Sequence, residues 1–127
     1  MIIIYGLKEN LSTKRELISD VINLCMHEAL GFPLNKKSHR FVLLDKEDMY
    51  FPEGRTESYT LIEINMMQGR KKETLKLLIQ TLFSKIDAGV GISPIDLEII
   101  IKEQPAYCWG FRGFCGDDAK LDYKIEV

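Results

Sequence analysis

The chain has 127 residues, with 17 basic and 19 acidic side chains and a formal net charge of −2. Hydrophobic residues make up 46% and charged residues 28%, a composition that excludes a disordered chain and supplies one real core. Residues 1–63 carry 8 basic and 10 acidic side chains and the remainder nine of each, so no basic half exists to neutralise a phosphate backbone and nucleic-acid binding is not expected. Apolar runs are only a few residues long, far short of the roughly 20 that span a bilayer, and no membrane partner is expected. Met1 to Leu7 lacks a basic region and a small-residue cleavage site, so no signal peptide is expected. Cys25, Cys108 and Cys115 are odd in number and form no C-x-x-C pair, which reads as reduced thiols in a cytoplasm. Only His27 and His39 could join them at a metal, and Cys25 and His27 point apart on a helix, so no metal site is expected.

In chain order, Ile2–Tyr5 is a short β-branched and aromatic run, read as a strand. Thr13-Lys14-Arg15-Glu16 has the capping-box pattern of a helix start. Leu17, Ile18, Val21, Ile22, Cys25 and Ala29 then fall on one helical stripe, and Gly31 and Pro33 stop the helix. Arg40–Leu44 reads as the next strand. The plan then repeats. Tyr59–Met67 is a longer strand with Thr60, Ile62, Ile64 and Met66 on one face. Gln68-Gly69-Arg70 turns into a second helix with Leu75, Leu78, Ile79, Leu82, Phe83 and Ile86 as its apolar stripe. Gly89 and Gly91 close that helix, and Pro94 precedes the strand Leu97–Lys102.

Two parallel β-α-β units joined through a pseudo-twofold axis give an α+β fold. The expected product is a four-stranded mixed sheet with both helices on one face. Residues 1–127 are read as one domain: a first repeat over about 1–46, a second over about 59–102, and a C-terminal loop and strand over 103–127. The sheet face away from the helices, with Leu61, Glu63, Asn65 and Met67, is expected to be an interface between subunits. The alternating Tyr123, Ile125 and Val127 are suited to adding a strand to a neighbour.

With this layout, and with Gly69-Arg70 after the third strand and Trp109-Gly110-Phe111 after the fourth, the chain resembles the tautomerase superfamily in its long two-repeat form. Its nearest resemblance is to the malonate semialdehyde decarboxylase-like branch. The resemblance implies a homotrimer, small keto or enol carboxylates as substrates, and no metal or organic cofactor. It also implies an amino-terminal proline as acid or base, and here the chain departs: Met1 is followed by Ile2, and because a large second residue disfavours methionine removal, Met1 is expected to stay. Related sequences often carry two arginines at the second helix start, where this chain has Gln68 and Arg70. The acidic residue that precedes an arginine in that branch is replaced in the pair His39-Arg40.

Arg70 sits where a helix dipole repels a cation, a poor structural position and a good one for binding a carboxylate. The Met1 α-amine, with an ordinary pKa of roughly 7.7–8.0 that a neighbouring Arg70 would lower, offers a base or a Schiff-base nucleophile. Trp109 and Phe111 can wall a small pocket. The expected site is therefore catalytic Met1 and Arg70, with Ile2, Arg70, Trp109 and Phe111 binding substrate. Arg112 is a second candidate anion ligand, with a surface role as the expectation, and surface or structural roles are expected for His39 and Cys108. The expected activity is keto–enol tautomerisation, or a related proton transfer, on a small keto acid. The alternative is a trimeric binding or scaffold protein that lost catalysis with the terminal proline.

Overall fold

Burial alternates along β1 (Ile2–Leu7), with Ile2 and Ile4 inside and Ile3 and Tyr5 half-buried. The computed structural model describes residues 1–127. A single helical turn, α1 (Lys8–Leu11), leads into α2 (Arg15–Leu30), followed by β2 (His39–Leu44). The second unit is β3 (Thr60–Met67), α3 (Lys72–Val90) and β4 (Leu97–Gln104). The sheet order is β2-β1-β3-β4, with both outer pairs parallel and the central β1–β3 pair antiparallel. This is the four-stranded mixed sheet read from the sequence, with each observed strand extending one or two residues beyond the expected run or matching it closely. A small hairpin, β5 (Gly110–Phe111) and β6 (Phe114–Cys115), follows.

One core of 16 buried residues fills the space between the sheet and helices α2 and α3. From α2 it takes Ile18, Ile22, Cys25, Met26 and Leu30, and from α3 Leu78, Leu82 and Ile86. The expected stripe on α2 needs correction at Leu17, which is 47% exposed. Ile18 sets the direction that faces the sheet, and Leu17 lies about 100° away on the helical wheel. The capping box is also absent. The α2 N-cap is Lys14, without a side-chain cap, because α1 brings the chain in as a helical turn whose Leu11 carbonyl accepts from the Lys14 N–H at 2.9 Å. A cap contributes about 1 kcal/mol, whereas each buried Ile or Met contributes about 1.5–3. Packing therefore sets this helix start. Gly31 and Gly91 end the two helices in the left-handed conformation, at φ 68° and 84°. Gly89, expected as part of the stop, lies inside α3.

The other sheet face carries no helix and is partly polar. Glu63 accepts from the Tyr5 hydroxyl at 2.9 Å and pairs with Lys102, while Val42 and Ile100 stand exposed beside them. Within the single chain no strand follows Cys115. Residues 119–127 run back over their own chain as a strap that bends at Asp122, Tyr123 and Ile125. The Val127 carbonyl oxygen accepts from the Lys71 N–H at 3.0 Å and from Thr74 Oγ1 at 2.8 Å. Those groups belong to the start of α3, whose first N–H groups have no partner inside the helix. No helix is long and apolar enough to cross a membrane.

Candidate functional site

Because β1 and β3 are antiparallel, the start of β1 and the end of β3 meet at one end of the sheet. Met1 and Asn65 extend that ladder: the Asn65 N–H donates to the Met1 carbonyl at 2.9 Å, and the Met1 amine donates to the Asn65 carbonyl at 3.0 Å. Parallel pairing of β2 with β1 places His39 beside Ile2 and Arg40 beside Ile3. After β3 the chain turns at Gly69, and Arg70 folds back so that its Nη1 donates to the Met67 carbonyl at 3.2 Å. The β5–β6 hairpin, with Trp109 before it, closes the other side.

These segments surround a cavity of about 630 Å³, within the range of about 300–1,000 Å³ typical of ligand pockets. Met1, Ile2, Arg70, Trp109 and Phe111 all line it. So do His39, Arg40, Asn65, Arg112, Leu121 and Tyr123, which the sequence reading either left at the surface or did not connect with the site. Cys108 does not line it and is exposed. Cys25 is buried in the core, where burial pushes its thiol up to about 11, so it stays protonated.

The electrostatics are one-sided. No Asp or Glu lines the cavity, while Lys36, Lys37, Arg40, Arg70, Arg112 and the Met1 amine do. The two lysines are neutralised, by Asp122 at 2.6 Å and Asp20 at 3.1 Å. All six ion pairs of the chain use lysine, so the three cavity arginines have no carboxylate partner. Arg70 is 9% exposed, and its Nε is buried without a hydrogen-bond partner. Burial holds its pKa below the usual arginine value, opposed by Tyr123 and Glu103, yet a guanidinium keeps its charge in a protein.

The Met1 amine titrates below its ordinary 8.0, first because packing desolvates it and second because of Arg40. The cation that acts on the amine is Arg40, not Arg70 as expected from the sequence, and its guanidinium also contacts the Met1 sulfur. His39 is not a solvated edge residue. Its Nδ1 lies 2.8 Å from Ser19 Oγ, and burial, with Lys37 and the Met1 amine nearby, pushes its pKa down to about 4. At neutral pH it is an uncharged imidazole in the cavity wall. Trp109 is fixed through its carbonyl, which accepts from the Gly116 N–H at 2.7 Å, and any side chain at Gly116 would collide with the Ala106 carbonyl. Its indole Nε1 is buried and unpartnered. Arg112 takes the left-handed conformation, φ 53°, at the tip of the two-residue hairpin turn, with its guanidinium 5.3 Å from the Phe111 ring. Away from the cavity, ligand-type atoms of Cys115, Asp117 and Asp118 lie within 4.8 Å of one another, all exposed.

Comparison with known proteins agrees with this architecture. A malonate semialdehyde decarboxylase structure superposes with a TM-score of 0.81 at 19% identity, over 91% of this chain and 93% of that one. A second malonate semialdehyde decarboxylase, inhibited by 3-bromopropiolate, gives 0.79 at 22% identity over 87% and 88%. Native fused 4-OT gives 0.80 at 15% identity over 91% and 95%. At these identities the likeness is one of fold. Residues 36–112, more than half of the chain, match the family model described as tautomerase enzyme. The chain therefore belongs to the tautomerase family, with its fold that of the two-repeat members near malonate semialdehyde decarboxylase.

Proposed function

We propose that this cavity binds a small keto acid through its carboxylate and moves a proton beside it, as in keto–enol tautomerisation. The observation that carries the reading is the charge imbalance: three arginines without carboxylate partners face a cavity that no acidic side chain lines. Of the three only Arg70 is buried, Arg40 and Arg112 being exposed; a buried cation without a partner is costly, and a bound anion offsets that cost. Arg70 is the anchor, since a guanidinium offers two parallel N–H donors to a carboxylate. It also stabilises the negative charge that develops on the enolate oxygen.

The Met1 amine is the proton carrier. Desolvation and Arg40 both favour its neutral form, so a larger share is available as base at neutral pH than for an ordinary terminal amine. Its hydrogen bond to the Asn65 carbonyl orients it at the end of the sheet. Trp109 and Phe111 limit water around the reacting atoms, which strengthens each charge interaction there. We further propose a homotrimer, in which the helix-free sheet face packs against other copies; structures of fused 4-OT described as trimers share the fold. Light scattering should give three times the 14.6 kDa chain mass.

The rival reading, a carboxylate-binding protein without turnover, is favoured by the primary amine of Met1 where relatives use proline. Ketonisation of the enol form of a small 2-keto acid, followed by ultraviolet absorbance, separates them. Turnover above buffer that falls in Arg70→Ala supports the enzyme. Pyruvate binding that depends on Arg70, with no turnover and no borohydride-trapped adduct at Met1, supports the binding protein.

A further inference from the structure

The C-terminal strap has no counterpart in the β-α-β plan, and its placement is specific. Along residues 121–127 half-buried and exposed positions alternate, with Leu121, Tyr123, Ile125 and Val127 turned inward. Five of its residues make the contacts that seat it. Asp122 pairs with Lys36 at 2.6 Å, and Arg112 Nη2 donates to the Lys120 carbonyl at 3.3 Å. The Tyr123 ring meets Phe32 edge-on at 4.9 Å. Ile125 lies against Gly69, so close that a Cβ there would stand 2.9 Å from its Cγ2. Val127 holds the start of α3 through Lys71 and Thr74. Gly69 and Lys71 flank Arg70, so the strap is clamped on both sides of the residue that anchors the proposed ligand.

We infer that the strap is part of the binding site, and that the Tyr123 hydroxyl donates a hydrogen bond to the same bound carboxylate that Arg70 holds. The inference rests on the reading that the cavity takes a small carboxylate. Tyr123 and Leu121 line the cavity together with Arg70 and Trp109. Tyr5 and Tyr59 donate to Glu63 and Glu98; Tyr123 has no such acceptor. Two buried donors of cavity-lining residues, Arg70 Nε and Trp109 Nε1, lack partners, and buried donors are normally satisfied. A carboxylate has about four lone-pair sites, enough to take the phenol hydrogen bond together with those of the arginine.

The test measures pyruvate affinity by calorimetry, alongside the thermal midpoint, for wild type, Tyr123→Phe, Ile125→Asp and Arg70→Gln. Tyr123→Phe removes only the hydroxyl, so a structural role for the ring is preserved. The expected result is roughly ten-fold weaker binding with an unchanged midpoint, the loss typical of one hydrogen bond to a charged group. Ile125→Asp, which unseats the strap without altering a cavity side chain, should weaken binding in the same direction. Wild-type affinity in Tyr123→Phe, with binding lost in Arg70→Gln, would overturn this inference and leave the carboxylate site intact. Equal affinity in Arg70→Gln and wild type, or no pyruvate binding at all, would remove the carboxylate reading and this inference with it.

Discussion

The two ends of the sheet are related by the duplicated plan, yet only one holds an uncompensated cavity. At the end where β1 stops and β3 begins, charges are matched locally. Lys8 pairs with Asp45 and Lys46 with Glu57, and Asp96, 4% exposed, accepts from the Thr56 N–H and hydroxyl at 2.7 Å each. Asn10 likewise donates to the Ser58 carbonyl at 3.2 Å and to Thr60 Oγ1 at 3.3 Å. The shallow cleft there, about 270 Å³, is lined by both Lys14 and the acids Glu9 and Glu57. At the opposite end, Arg40, Arg70 and Arg112 face a larger cavity without one acid among its walls. One topology thus produces a satisfied end and an unsatisfied one. The difference lies in which side chains the strand ends and loops deliver, Arg40 from β2 and Arg70 and Arg112 from the turns.

If that contrast is functional, substitutions at the two ends should separate activity from stability. The largest effect expected is at the unsatisfied end. Arg70→Ala should lower kcat/KM for ketonisation by about 100-fold, as for loss of a charge-assisted contact of about 3 kcal/mol, with unfolding by denaturant shifted little. At the satisfied end, Asp96→Ala should cost about 2–3 kcal/mol in the same unfolding measurement, because it leaves the Thr56 donors without their buried acceptor. Its kcat/KM should match wild type.

Two pH experiments sharpen the comparison further. Burial and Arg40 lower the Met1 amine pKa, so the acidic limb of a kcat/KM profile should lie below pH 8. Arg40→Leu removes one cation and should move that limb upward; a limb that stays in place would detach Arg40 from the amine. The last experiment concerns His39. Its folded pKa of about 4 lies below the ordinary 6.5, so between these values the unfolded chain binds more protons than the folded one. Stability should be full above pH 6.5 and decline as pH falls towards 4. His39→Gln should flatten that decline in a series of thermal scans.

The strand and helix periods, together with Gly31 and Gly91, made the duplicated fold legible in the amino-acid sequence, since each signal is local and repeats. Local signals failed where packing outweighed them: Thr13 does not cap α2, and Leu17 faces outward although it fits an apolar stripe. The cavity was harder to read because its walls come from segments as far apart as Met1, Arg40, Arg70 and Tyr123. Met1, Ile2, Arg70, Trp109 and Phe111 were picked out by chemistry and by family resemblance. In the sequence Arg40 stands out only as a strand start and the neighbour of His39, and its action on the amine follows from parallel β1–β2 pairing. The strap shows the same limit. Alternation at Tyr123, Ile125 and Val127 marks an extended segment with one apolar side, but it does not say which surface that side meets.

The central claim is that the amino end of the chain transfers the proton while Arg70 holds the carboxylate. Its most direct test is ketonisation of the enol form of a small 2-keto acid with the Met1 amine free and after selective acetylation. A rate loss of about 100-fold or more, with pyruvate affinity retained, is the predicted result. Equal rates for the free and blocked amine would contradict the account.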